Sequence, residues 1–177
     1  MSSKIVFVTT FPAAADFARE LAPTGYELII TEARSAEYNT AMATAEYLVG
    51  FVDMLVDHEL YAAAPNLKLI QLLSAGYDRA DIPAAQKARV PIANNGGANS
   101  VAVSEHALLL MLATSRQLVR QHGDVAAGRW RGNNLLALHE LRNRSLGIIG
   151  LGAIGKKTAR LAQAFGMSIT YYDIERL

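Results

Sequence analysis

The sequence predicts an α/β protein built on parallel sheets covered by helices. Three observations lead there. Short apolar runs alternate with helical patterns along the whole chain. Most of these runs lack period-two alternation, as strands buried on both faces do. The stretch 145–173, SLGIIGLGAIGKKTARLAQAFGMSITYYD, reads as strand, glycine-rich turn, helix, strand and terminal acid.

Taken in order, the spacing predicts strands over 5–8, 27–30, 47–52, 67–73, 91–93, 146–149 and 168–172. Helices are expected near 12–21, 36–45, 59–64, 83–88 and 156–165, where alanine-rich pieces such as 13–15 and 62–64 are good helix formers. The longest helix should run from about Ser100 to about His122. Asn99 or Ser100 can cap its start. Its middle, 107–113, is apolar on every side and should be buried on several faces. Gly123 should end or kink it. The stretch 124–139 is polar, carries Gly128, Gly132 and the sole tryptophan, Trp130, and reads as a linker or arm. The expected organisation is an α/β unit over 1–99, a crossover helix and arm over 100–140, and a second unit over 141–177.

Composition narrows the function classes. The chain has 177 residues, 51% hydrophobic and 19% charged, as a well-buried globular protein has. Its formal net charge of +1, with Lys and Arg scattered, gives no footprint for nucleic acid or an anionic membrane. There is no cysteine, which excludes disulfides, thiolate catalysis and zinc–thiolate sites. The apolar run 5–8 is too short for a signal peptide and 107–113 too short to span a bilayer, so a cytoplasmic location is expected. No HxxxH or HExxH spacing exists, so no metal site is expected.

The glycine-rich turn carries the chemistry. Gly150 allows a tight exit from the strand. Gly152 lets backbone approach a pyrophosphate, and Gly155 lets the helix pack closely on the strand. The helix N-terminus then offers free N–H groups and a positive dipole end. Asp173 lies 18 residues after Gly155, at the end of the next strand. There it can accept from both ribose hydroxyls and repel a 2′-phosphate, which favours NAD over NADP. Arg176 is the one nearby cation that tempers that preference. Strand, turn, helix, strand and acid together make this the first βαβ part of a Rossmann nucleotide-binding domain.

Four stretches carry a family resemblance: LKLIQLLSAGYD (67–78), GANSVAVSEH (97–106), Gly128-Arg129-Trp130, and LGIIGLGAIG (146–155). Over about 67–173 the chain resembles the D-isomer-specific 2-hydroxyacid dehydrogenases. The first 60 residues match only in pattern. The resemblance implies a flavodoxin-like, doubly wound N-terminal domain that contacts substrate, followed by the NAD-binding domain. It implies that backbone N–H groups at Ala75, Gly76 and Tyr77 meet a substrate carboxylate, and that Asn99 lies near substrate and nicotinamide. It implies that the backbone of Ala153 and Ile154 faces the pyrophosphate. Without the resemblance, 74–77 reads equally as an ordinary βα turn, and Asn99 as a plain helix N-cap. One departure is Asn143, which stands where the family usually has glycine. Asn tolerates the left-handed conformation, so the turn should be kept.

The family binds the substrate carboxylate with an Arg and uses a His backed by a Glu as acid–base. The resemblance places all three beyond the second strand of the cofactor domain, so no catalytic residue is assigned in this chain. The chain's four histidines are His58, His106, His122 and His139. His106 follows Glu105, but neighbours on a helix point apart and make no dyad. The chain ends four residues after Asp173, so the cofactor domain is expected to be incomplete. The 146–149 strand would then keep one bare edge, and 141–177 should not fold as a stable solitary unit. The expected activity is hydride transfer between NAD(H) and a small 2-hydroxy or 2-keto acid such as glyoxylate or hydroxypyruvate, in a homodimer. Formate or phosphite dehydrogenase is the alternative within the family. A non-catalytic module for dimerisation or nucleotide binding is the alternative outside it.

Overall fold

The computed structural model describes residues 2–130 and 137–175. The chain divides into two compact units, residues 1–96 and 97–177.

The first unit is a five-stranded parallel sheet in the order β2-β1-β3-β4-β5. Its strands are β1 (Ser3–Val8), β2 (Tyr26–Thr31), β3 (Tyr47–Gly50), β4 (Leu69–Leu72) and β5 (Ile92–Ala93). Between them lie α1 (Pro12–Glu20), α2 (Ala36–Met42), a 3-10 turn at Asp53–Leu55, α3 (His58–Ala63) and α4 (Ile82–Ala88). One register row crosses the whole sheet: Ile29, Val6, Leu48, Ile70 and Ile92 stand opposite one another. Val6, Leu48 and Ile70 in that row are fully buried, together with Met42 of α2 and Leu72 of β4. Apolar runs without alternation thus become strands whose inward row is closed by helices. Local chemistry sets the helix starts. Ser35, Asp57 and Asp81 each accept from a backbone N–H three residues on, at Tyr38, Leu60 and Ala84.

The second unit holds α5 (Ser100–Ser115), α6 (Leu118–Ala126), β6 (Ser145–Ile149), α7 (Ala153–Ala164) and β7 (Ser168–Tyr172). β6 and β7 pair in parallel, Leu146 opposite Ile169 and Ile148 opposite Tyr171. Asn143 has a φ of 61°, so the left-handed turn before β6 is kept without glycine. The arm positions Gly132 and, after β7, Arg176 lie outside the described residues.

Two expectations change here. The single helix over 100–122 is two helices, and the break is at Arg116–Gln117, not at Gly123, which sits inside α6. The cause is competition for a carbonyl. The His139 N–H donates to Ser115 O at 2.9 Å, taking the acceptor that residue 119 would need. Gln117 then turns left-handed, and its side chain donates to Ala137 O. The second change concerns burial. Only one stripe of α5 is buried, at Ser100, Ser104 and Leu108, while α7 packs along the helix. Val101, Leu109 and Leu110 are exposed. No helix among the described residues is long and apolar enough to cross a membrane.

Candidate functional site

The glycine turn is built as the spacing requires. Gly150 has a φ of 91°, and its N–H continues the β6–β7 ladder to Tyr172 O at 2.8 Å. A Cβ on Gly155 would stand 2.2 Å from Gly150 O, so α7 sits against the turn at a distance only glycine permits. A Cβ on Gly152 would meet nothing within 4 Å, which leaves open space beside the exposed start of the helix. The first intrahelical bond runs from Lys156 N–H to Gly152 O. Ahead of it, the N–H groups of Ala153, Ile154 and Gly155 have no partner among the described residues. The start of α7 thus leaves those donors, and the positive end of the helix dipole, open to an anion.

Asp173 closes the other side of the turn. Its Oδ2 accepts from Leu151 N–H at 2.5 Å, and its Oδ1 accepts from Glu175 N–H at 3.4 Å. The Leu151 N–H, then the Glu175 N–H, hold this carboxyl below its ordinary value, with a smaller pull from Lys156. The acid at the strand end is therefore ionised and tied to the glycine turn. Sequence spacing placed it at the strand end but carried no signal for the bond to Leu151. A dinucleotide fits this set: an open anion cradle, and an acceptor carboxylate fixed at its edge with lone pairs to spare.

Asn99 stands at the N-cap position of α5, yet its side chain makes no capping bond and it is exposed. Its neighbourhood lies close to the glycine turn, since a Cβ on Gly97 would lie 3.8 Å from the Ala153 Cβ.

Ala75, Gly76 and Tyr77 belong to the other unit, in the loop after β4, at the carboxyl end of the parallel sheet. Leu73 N–H donates to Gly50 O as the ladder ends. The loop's carbonyls are then taken one by one. Asn95 N–H donates to Ser74 O at 2.9 Å, Asn94 Nδ2 to Ala75 O at 2.7 Å, and Ser74 Oγ to Gly76 O at 2.8 Å. The N–H groups of Ala75, Gly76 and Tyr77 have no acceptor among the described residues, and all three residues are exposed. With its carbonyls engaged, the loop keeps three successive amides as donors that an anion could use.

The foot of this loop is clamped by a pair that the spacing did not single out. Arg79 donates from Nε to Asp53 Oδ2 at 2.9 Å and from Nη2 to Asp53 Oδ1 at 2.8 Å. Asp53 is buried, and the Arg79 hydrogen bonds hold its carboxyl below the ordinary value. The bidentate fork ties the turn after β3 to the loop after β4. His58, His106, His122 and His139 are all exposed. No group of three or more His, Cys, Asp or Glu side chains among the described residues could hold a metal.

Residues 108–177 match the family model described as D-isomer specific 2-hydroxyacid dehydrogenase, NAD binding domain. Over these residues the chain is a member of that family. It is 38% identical over 124 residues to a glyoxylate reductase of Thermofilum pendens, covering 68% of this chain and 37% of the relative. It is 36% identical over 118 residues to a D-3-phosphoglycerate dehydrogenase of Archaeoglobus fulgidus, covering 67% of this chain and 22% of the relative. Among solved structures, a D-lactate dehydrogenase of Aquifex aeolicus complexed with NAD and lactic acid superposes with a TM-score of 0.85 at 25% identity. That match covers 98% of this chain and 52% of the other. The chain thus spans between about a fifth and about half of the length of these D-2-hydroxyacid dehydrogenase relatives.

Proposed function

We propose that this chain carries the substrate loop and the NAD-binding turn of a dehydrogenase acting on a small 2-hydroxy or 2-keto acid, such as glyoxylate or hydroxypyruvate. One observation supports it above the rest: an open helix N-terminus at Gly152–Ala153 shares a turn with an ionised Asp173. When bound, the nicotinamide accepts or delivers the hydride. The chain's own residues bind and orient. Ala153 and Ile154 N–H groups receive the pyrophosphate, and Gly152 keeps the approach clear. Asp173 accepts from the ribose hydroxyls and disfavours a 2′-phosphate. The free amides of Ala75, Gly76 and Tyr77 receive the substrate carboxylate. Asn99 lies on the segment beside Ala153 and is assigned to the substrate end of the cofactor. None of the four histidines is assigned to proton transfer, because none belongs to either site. A homodimer through α5 and the Trp130 arm completes the reading, as does a cytoplasmic location.

The test is a titration of the chain with NADH and NADPH, followed by nicotinamide fluorescence. NADH should bind the more tightly, and Asp173→Ala should weaken it about tenfold, the equivalent of one charge-assisted hydrogen bond. Unchanged NADH affinity in Asp173→Ala would overturn the ribose assignment. Turnover of glyoxylate with NADH would establish a working dehydrogenase. Binding without turnover is the outcome expected of a nucleotide-binding module that does no chemistry itself.

A further inference from the structure

In the loop after β4, each free N–H belongs to a peptide group whose own carbonyl is already held. The Ser74–Ala75 peptide carries the Ala75 N–H, and its carbonyl accepts from Asn95 N–H at 2.9 Å. The Ala75–Gly76 peptide carries the Gly76 N–H, and its carbonyl accepts from Asn94 Nδ2 at 2.7 Å. The Gly76–Tyr77 peptide carries the Tyr77 N–H, and its carbonyl accepts from Ser74 Oγ at 2.8 Å. Asn94 directly follows β5, the strand paired with β4, so the Gly76 tether is anchored in the sheet.

The two ends of a peptide group are not independent. It is planar, and these groups are trans, so C=O and N–H point in opposite directions. A donor on the oxygen therefore sets where the N–H points. It also polarises the group and strengthens the N–H as a donor. Packing does not supply this hold, because Ala75, Gly76 and Tyr77 are all exposed and Gly76 has the freest backbone of any residue type. Asp78 makes the aim matter more. Its Oδ2 would lie 3.1 Å from a Cβ on Gly76, so a carboxylate flanks the donors and repels an anion. Arg79, next along, is committed to Asp53. An anion held here thus depends on oriented N–H dipoles.

We infer that, with 75–77 receiving the substrate carboxylate as proposed above, Asn94 and Ser74 are the positioning residues for it. Asn94 aims the Gly76 N–H, and the Ser74 hydroxyl aims the Tyr77 N–H. Each acts through a peptide group and not by touching substrate. Asn95 does the same for Ala75 through its backbone, a donor that any residue but proline supplies.

The probe is oxalate, which sets a carboxylate beside a second carbonyl carbon as a 2-keto acid does. It is titrated into the full chain and followed by amide chemical shifts, with saturable shifts expected at 75–77. Asn94→Ala should weaken oxalate about threefold to tenfold, the range for one neutral hydrogen bond, and should diminish the response at Gly76 more than at Tyr77. Ser74→Ala should do the reverse. Ser74→Thr, which keeps the hydroxyl, should bind as the parent does. Without oxalate, residual dipolar couplings should show the Gly76 N–H vector turning in Asn94→Ala and the Tyr77 vector in Ser74→Ala, with the amides of β1 and β3 unmoved in both. No saturable shift in the parent overturns the substrate-loop reading and this inference with it. Parent-like affinity and unchanged vectors in both alanine variants overturn this inference and leave the loop reading standing. Equal loss of all three responses in each alanine variant, or Ser74→Thr as weak as Ser74→Ala, would mean that general loop packing matters and not the individual bonds, which also overturns it.

Discussion

The two units solve the same problem with different amounts of material. Both start from parallel strands joined by helices. In the first, five strands and their helices leave Ile70 of β4 at 0% exposure. In the second, two strands share one covering helix, and Ile149 at the end of β6 is 90% exposed. The residue types are alike, so apolar character alone does not decide burial here. Position does: Ile70 lies on the inward row of β4, whereas Ile149 ends β6 on its exposed row. The smaller unit is held by α7 packing along α5 and by local fit: Gly155 against Gly150, Asn143 in its left-handed turn, and Asp173 on Leu151.

The strongest way to break this contrast is Gly155→Ala. The new methyl would overlap Gly150 O, lifting α7 from the turn and costing about 4 kcal/mol or more, because backbone must move. Hydrogen exchange should accelerate through β6, α7 and β7 and stay unchanged in β1, β3 and β4. Next comes the matched pair Ile70→Ala and Ile149→Ala. The first should cost about 3 kcal/mol by cavity formation, and the second less than about 0.5 kcal/mol, both read by denaturant melts. If the two cost the same, Ile149 is buried in solution in a way its exposed row does not show.

Arg79→Ala sharpens the comparison within the first unit. It leaves the buried Asp53 carboxylate without its fork, and should cost about 1–2 kcal/mol, since Arg79 itself is 63% exposed on its side chain. The sign with pH follows from the lowered Asp53 value. The pair stabilises fully above the unfolded carboxylate value of about 4, and the stability is lost as pH falls through the lower folded value. A melt series from about pH 6 to about pH 3 should therefore show a shallower acid limb in Arg79→Ala than in the parent. The smallest effect is expected at Asn143. Asn143→Ala should cost about 1 kcal/mol at its φ of 61°, while Asn143→Gly should be neutral or slightly stabilising.

Strand and helix order was legible because each apolar run is short and each helix has its own start signal, such as Asp57 before His58. The glycine turn and Asp173 were legible for the same reason: every contact they need falls within one βαβ stretch. The break at Gln117 was not, because it depends on His139 reaching back to Ser115, a bond between segments that periodicity does not link. The one-sided burial of α5 was not legible either. An all-apolar helix middle says that faces could be buried, not how many neighbours arrive to bury them. The Asp53–Arg79 fork lies in the same blind spot, since it joins residues brought together only by the fold.

The bond from Leu151 to Asp173 has a consequence for observation. That amide proton sits in the field of a carboxylate 2.5 Å from its nitrogen, so its resonance should stand far downfield and exchange slowly. Under the proposed assignment, a ribose hydroxyl sharing Asp173 should draw charge away from Leu151 and move that single resonance. The same resonance then tests the proposed nucleotide contact without turnover, at one peptide group.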